Sequence, residues 1–403
     1  MTNKYQHQDD LQALSPDKYL LVWDCGTGKT KAAIDLVEQK TFDVLVIVPK
    51  ALVKSWEKEI KQWSNGKTAY EIQTKETFKK NELQKTIRRY DAVIIDEAHN
   101  FAGMKSQMSK SMIAYLKKHE INYVYCLTAT PFLSQPWNVY RLGQILGTHW
   151  GYQKFEYTFF YSFNMGGRMV PMLKSGTEEK LAEYVHKLGI PVRMDEAVDD
   201  LPESTMLTEF FKLSKEQEKL MEEAYDPNPL VRFTREHQIC GGTLKGDEFT
   251  DSIIFKSDKR QRVLDLAEKN DKLVVVCRYN LEIDALENAL REVGSKVYVV
   301  RGDTKDRHGV LQSARNDDKA VLLVSAACSE GWEFPECRIM VFYSYDFSLK
   351  NYIQLLGRIQ RINKIAKRTY LSLIVKGTID EDVMDNISKK KSFHIHIYAK
   401  THK

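Results

Sequence analysis

No apolar run in this 403-residue chain approaches the roughly 18 residues that a membrane-spanning helix needs. The stretch from Met1 to Gln8 holds no apolar segment either, so no secretory signal is visible, and a cytoplasmic protein without a membrane partner is expected. Cysteine is sparse: Cys25, Cys126, Cys240, Cys277, Cys328 and Cys337 form no CxxC pair, and the closest two stand nine residues apart. That spacing excludes a disulfide scaffold and a zinc knuckle, and leaves reduced core thiols. Glycine (20) and proline (10) are too few for a collagen-like or linker-dominated chain. Charge of one sign is barely in excess, 60 Lys and Arg against 55 Asp and Glu. A net charge of +5 permits a nucleic-acid partner without arguing for one. What is present is globular. A hydrophobic fraction of 43% is too high for disorder, and at about 150 residues per domain the length allows two or three domains.

Short β-branched runs recur, each followed by a helical pattern. The first half has Tyr19–Trp23, Val44–Val48, Ala92–Ile95 and Tyr123–Leu127. The second half has Leu273–Cys277, Val297–Val300, Ala320–Val324, Ile339–Phe342 and Tyr370–Val375. Continuous apolarity marks strands buried on both faces, which is how parallel sheets read. Two such series predict an α/β fold of two tandem domains. Between 151 and 205 the pattern weakens. Tyr152, Phe155, Tyr157, Phe159, Phe160, Tyr161 and Phe163 place seven aromatics in twelve residues, followed by Gly166 and Gly167. A small core under a helical insertion is the plain reading, and a platform on which bases stack is the sharper one. The lysine-rich end, from about 386 to 403, predicts a frayed basic tail or a last edge strand. In such a strand His394 and His396 would share a face, with no third metal ligand near.

Strand Tyr19–Trp23 runs into Asp24-Cys-Gly-Thr-Gly-Lys-Thr30 and then a helix, Thr30–Gln39, with Ala33, Leu36 and Val37 on one face. A glycine-rich turn between strand and helix aims backbone N–H groups at phosphates, and the helix dipole adds positive potential. Gly26, Thr27 and Gly28 would line it, Lys29 would reach the β- and γ-phosphates of ATP, and the Thr30 hydroxyl would hold Mg²⁺. Trp23 stands where the full pattern has glycine. Asp96-Glu97-Ala98-His99 ends the apolar strand Ala92–Ile95. Asp96 is the second metal residue, and Glu97 is placed to polarise the attacking water as general base.

Lys29-Thr30, Asp96–His99, Thr128-Ala-Thr-Pro131 and Gln354-Leu-Leu-Gly-Arg-Ile-Gln-Arg361 stand in the order used by superfamily-two helicases, which the chain resembles from about Tyr5 to Val383. Leu45–Trp56, Val192–Pro202 and Gly377–Glu381 are most similar to the Swi/Snf group, especially its small annealing-helicase and phage-encoded members. Ser134 replaces an asparagine usual in that group, Met194 an arginine, and Ser329–Pro335 follows the generic helicase form, with an acid at 333.

The resemblance implies two RecA-like lobes, 1–150 and 206–385, with ATP in the cleft between them and the 151–205 insertion at their junction. It implies that Gln6, with Gln8 as competitor, reads adenine. Gly331 and Glu333 would lie on the nucleotide side of the second lobe. Arg361 would be the arginine finger and Arg358 a γ-phosphate contact. Lys50, Arg278, Tyr279, Arg301, Gly302 and Ser325 would follow nucleic-acid phosphates, and Thr128 and Thr130 would couple that track to hydrolysis. The expected function is an ATP-dependent DNA helicase or translocase, with Mg²⁺ as cofactor, acting on duplex, fork or single-stranded DNA. An RNA helicase or a slow ATP-switched clamp that recruits other proteins stands as the alternative. A monomer is expected, with replication or recombination proteins as candidate partners. Compactness and the lysine-rich sequence point to a bacterium or a phage-infected cell.

Overall fold

The computed structural model describes residues 5–104, 106–131, 136–165, 168–197, 204–224, 226–247, 250–360 and 366–398. The chain divides into two compact units, residues 1–200 with 391–403, and residues 201–390. Each is a parallel sheet flanked by helices.

In the first unit, β1 (Lys18–Leu21), β2 (Asp43–Val48), β3 (Ala69–Thr74), β4 (Ala92–Asp96) and β5 (Tyr123–Leu127) lie in the order β1-β5-β4-β2-β3. All pairs are parallel, with Leu21 opposite Leu127 and Asp96 opposite Leu127. That register brings the carboxyl ends of β1, β4 and β5 level. The turns that follow them, at residues 22–28, 97 and 128–130, therefore share one edge of the sheet, where α/β sheets bind ligands.

The segment after this sheet is a helix (Tyr152–Phe159), an antiparallel hairpin of β6 (Phe160–Met165) and β7 (Arg168–Leu173), and a helix (Glu178–Leu188). The insertion is thus not purely helical. Phe155 and Phe159 are buried against Trp150 and Tyr184, Phe160 packs on those two phenylalanines, and all three belong to the first unit's core. Tyr157, Tyr161 and Phe163 are exposed. The small core and an exposed aromatic face coexist.

The second unit holds β8 (Thr205–Phe211), a short hairpin of β9 (Thr243–Leu244) and β10 (Ile253–Ile254), β11 (Lys272–Cys277), β12 (Val297–Val300), β13 (Ala320–Ser325), β14 (Ile339–Phe342) and β15 (Thr369–Val375). Its main sheet is parallel throughout, in the order β12-β13-β11-β14-β15-β8. The chain end is neither tail nor strand up to Tyr398, because a helix spans Ile379–Tyr398. Asp380, Glu381 and Asp382 in its first turn oppose the helix dipole favourably. The two-residue spacing of His394 and His396 is therefore not that of a strand. Among the described residues no helix is long and apolar enough to cross a membrane.

Candidate functional site

The turn after β1 is built for close approach. Gly26 and Gly28 adopt φ of 87° and 85°, a left-handed backbone that side chains disfavour. A Cβ on Gly28 would fall 2.3 Å from Gln8 Nε2. Gly28 caps the helix Lys29–Glu38 with no side-chain hydrogen bond, so the first-turn N–H groups keep their capacity for an anion. Lys29 Nζ donates to the carbonyls of Trp23 (2.6 Å) and Asp24 (2.9 Å). Thr27 is fully buried, and its hydroxyl donates to the Asp24 carbonyl. Thr30 sits half-buried in the helix's first turn.

Of the two glutamines, the structure brings Gln8 and not Gln6 to this loop. Gln6 is exposed and donates to Asp10 across one helical turn. Gln8 is buried, its Nε2 donates to the Gly28 carbonyl, and its Oε1 is buried without a hydrogen-bond partner. His7, which the motifs did not single out, bonds the Thr27 carbonyl and lies edge-on to Trp23.

Asp96 ends β4 half-buried. Burial and then the charge of Glu97 push its carboxyl up to about 6, while bonds from Trp56 and the Glu97 N–H and the charge of Lys29 pull the other way. Trp56 Nε1 donates to Asp96 Oδ2 at 2.7 Å, and Glu97 N to Oδ1 at 2.8 Å. Trp56 entered the sequence reading only as part of a motif, yet it fixes the orientation of this carboxylate. Glu97 sits at φ 47°, an uncommon left-handed conformation for glutamate. Its Oε2 lies 3.1 Å from His99 Nδ1, and the same nitrogen lies 3.1 Å from Thr128 Oγ1, which accepts from Thr130 N. Close polar contacts, of which His99–Thr128 and Thr130–Thr128 are hydrogen bonds, thus run from the turn after β4 to the turn after β5. Thr128 and Thr130 are both buried. The oxygens of Asp96 and Thr30 are hard donors of the kind Mg²⁺ takes, and the raised carboxyl of Asp96 is what a cation would relieve, so these residues fit the ion.

In the second unit Arg358 is buried, and its guanidinium donates to the carbonyls of Ser329 (2.7 Å) and Trp332 (3.3 Å). Gln354, fully buried, accepts from Ser329 Oγ. Together they pin the loop in which Gly331 turns at φ 79°. Glu333 is exposed on that loop. Arg361 lies outside the described residues. Arg278 stands over the rings of Tyr279 and Phe347. Arg301 is already held by Asp284 (2.7 Å) and Asp303 (3.3 Å). Lys50 and Gly302 are exposed, but Ser325 is buried and does not reach the surface.

Comparison with known proteins agrees with this geometry. Residues 3–133 match the family described as the res subunit of type III restriction enzymes, and residues 258–363 the helicase conserved C-terminal domain. An uncharacterized ATP-dependent helicase of Bacillus subtilis (strain 168), YqhH, is 23% identical over 95% of this chain and 76% of its own length. The ATP-dependent RNA helicase DBP3 of Gibberella zeae is 26% identical over 24% of this chain, and the DEAD-box ATP-dependent RNA helicase 5 of Arabidopsis thaliana 25% over 40%. This chain spans only 17% and 32% of those two relatives. With two parallel-sheet units of RecA-like type, a glycine-rich phosphate loop and both domain matches, the chain belongs to the superfamily-two helicases and is a nucleic-acid-dependent ATPase.

Proposed function

We propose that the protein is an ATP-dependent DNA helicase or translocase of Swi/Snf-like type, hydrolysing ATP to ADP and phosphate to move along or remodel DNA. The observation that carries this reading is the chain Glu97–His99–Thr128–Thr130, which ties a buried carboxylate to a second turn at the same sheet edge. Such a link lets the hydrolytic carboxylate feel a neighbouring element, as coupling of turnover to movement requires. Lys29 and the uncapped helix N-terminus bind the phosphates, Gln8 rather than Gln6 reads the adenine, and Glu97 takes the proton of the attacking water. Asp96 and Thr30 would hold Mg²⁺, whose chemistry is to offset negative charge on the phosphates. Arg361 as finger is proposed by resemblance alone. Arg358 holds the Ser329–Trp332 loop through two of its five N–H donors, and the others serve the γ-phosphate contact that the resemblance implies. A slow clamp has no need of the Glu97 base.

Steady-state ATPase measured with duplex, forked and single-stranded DNA and with RNA tests the substrate. Stimulation by DNA that falls steeply with added salt is expected. Stimulation by RNA alone would reverse the assignment, toward the activity for which two of the relatives are named.

The β6–β7 hairpin supports a contact with unpaired bases. Tyr161 and Phe163 lie two residues apart on β6, hence on one face, with Met172 opposite Tyr161. All three are exposed, and Lys174 stands over the ring of exposed Tyr157. Base stacking on such rings contributes about 1–3 kcal/mol each. Tyr161→Ala with Phe163→Ala should weaken single-strand binding by roughly tenfold or more in a fluorescence titration. Duplex binding should change less, and an equal loss on both would count against stacking.

A further inference from the structure

At the carboxyl end of β11 the backbone of Arg278 and Tyr279 is held by a buried network. Arg278 N donates to Ser344 Oγ at 2.7 Å, Ser344 Oγ donates to Glu282 Oε2, and Tyr279 N donates to the same oxygen at 3.2 Å. Glu282 is fully buried. The side chains of Arg278 and Tyr279 are arranged as closely. The Arg278 guanidinium stands 5.3 Å from the centroid of the Tyr279 ring and 4.8 Å from that of Phe347. His237 lies edge-on to Tyr279, with centroids 5.5 Å apart, and packs against Phe347 at 6.2 Å. His237 is 1% exposed, with Nδ1 3.2 Å from the Tyr279 hydroxyl and Nε2 3.1 Å from Asp380 Oδ1. Arg278 and His237 thus each stand against the same two rings, the first half-buried and the second in the core.

The protons along this chain decide what Tyr279 can do. Lys259 stands 2.8 Å from Asp380 and, against the effect of burial, keeps its carboxyl ionised. An ionised carboxylate only accepts, so in a neutral imidazole the nitrogen that faces it, His237 Nε2, carries the proton. Nδ1 then accepts, and the single proton of the Tyr279 hydroxyl points inward to it. Burial raises this phenol to about 12, against the charge of Arg278 and a bond from it, so the oxygen keeps its proton in neutral solution. No donor is left on Tyr279 for a phosphate, which can only accept. The Arg278 guanidinium, with five N–H donors, is the group there that can meet one. We propose that Tyr279, oriented by His237, is a positioning residue that holds Arg278 ready for a nucleic-acid phosphate and donates no bond to the strand itself. An arginine ordered in advance loses less conformational freedom on binding than one free to rotate. The inference rests on the reading of Arg278 as a phosphate contact, and it removes Tyr279 from the residues expected to follow phosphates.

The test is a fluorescence titration of the full chain with labelled oligothymidylate and oligouridylate at several salt concentrations, slightly above neutral pH, with ATPase turnover measured beside it. Tyr279→Phe keeps the ring and deletes only the hydroxyl. Its Kd for the strand should rise about three- to tenfold, with turnover at saturating strand little changed. The slope of log affinity against log salt should stay that of wild type, because the phosphate contact survives. Arg278→Ala should weaken binding and lower that slope by about 0.7–0.9, the loss of one phosphate contact. In the Arg278→Ala background Tyr279→Phe should have no further effect on Kd. An equal loss in both backgrounds would mean that Tyr279 acts on the strand directly, and would overturn the positioning role. A wild-type Kd in Tyr279→Phe would overturn it too. Arg278→Ala with wild-type affinity and slope would instead sink the reading of Arg278 as a phosphate contact.

Discussion

Glu97→Gln should lower ATP hydrolysis by about 10²–10⁴-fold while nucleotide and Mg²⁺ still bind. Glutamine keeps the volume and a hydrogen-bonding oxygen, so it fits the turn after β4 and leaves Asp96 with its bonds from Trp56 and from the residue-97 N–H. What it loses is a basic oxygen that can accept the proton of an attacking water. Glu97 is 8% exposed, and Lys29 acts on its neighbour Asp96, so the acidic pair shares a poorly solvated site with one cation. A proton acceptor there is not replaced by bulk water. Single-turnover hydrolysis, with binding of a fluorescent nucleotide measured beside it, separates the chemical step from affinity. Turnover within about tenfold of wild type would remove Glu97 from the role of base. His99→Ala offers a contrast. It keeps the base and breaks its link to Thr128, so stimulation by nucleic acid should suffer more than unstimulated turnover.

Which parts of this site the sequence carried follows from burial. The interior strands stand out because both of their faces are covered: β5 and β14 occupy Tyr123–Leu127 and Ile339–Phe342, the same bounds that continuous apolarity marks, and the edge strand β12 matches Val297–Val300 because all four of its residues are valine or tyrosine. Two of the four edge strands, β3 and β8, carry no such run. They mix exposed and half-buried positions, as in Ala-Tyr-Glu-Ile-Gln-Thr, and neither a run nor a clean alternation survives. The loop glycines and Lys29 were legible because a left-handed turn needs glycine wherever it occurs. That Gln8 and not Gln6 lies at the loop was hidden for a different reason. Distance to the loop admits both, and only helix phase decides. Gln8 and Leu11, three residues apart, form the buried face of the helix Gln6–Leu14, a periodicity that was available. Trp56 carried a weaker signal: a tryptophan on the buried side of a helix must place its N–H on some acceptor, but which one is a tertiary fact. Arg358 shows the limit most clearly. Motif spacing puts it near phosphate but says nothing of the two backbone carbonyls that the packed loop also gives its guanidinium.

Lys259→Met should destabilise the protein by about 3–5 kcal/mol, because it leaves a buried carboxylate without its cation. Asp380 and Lys259 are 2% and 1% exposed, and their charged atoms stand 2.8 Å apart. His237 Nε2 approaches the other Asp380 oxygen at 3.1 Å, and Val375 N donates to Oδ2 at 3.2 Å. One carboxylate therefore joins three helices, Pro229–Cys240, Asp258–Lys269 and Ile379–Tyr398, at the end of β15. Burial alone would raise the Asp380 carboxyl, but the charge of Lys259 and the bond from His237 outweigh it and hold the group below its ordinary value. A depressed carboxyl contributes stability above its unfolded pKa, near 4, and loses that contribution as pH falls through its folded value. Without Lys259 the carboxyl rises instead, so the variant is penalised at neutral pH and relieved by protonation in acid. The gap between wild type and Lys259→Met, read from urea unfolding, should then be largest near pH 7 and shrink toward pH 4. Adding Asp380→Asn to Lys259→Met removes the stranded charge and should recover part of the loss, whereas Asp380→Asn alone leaves the ammonium buried. A deficit under about 1 kcal/mol, or one constant across that pH range, would mean that packing of the lysine stem over the Tyr343 ring, 5.0 Å from its ammonium, and not the ion pair, holds the three helices together.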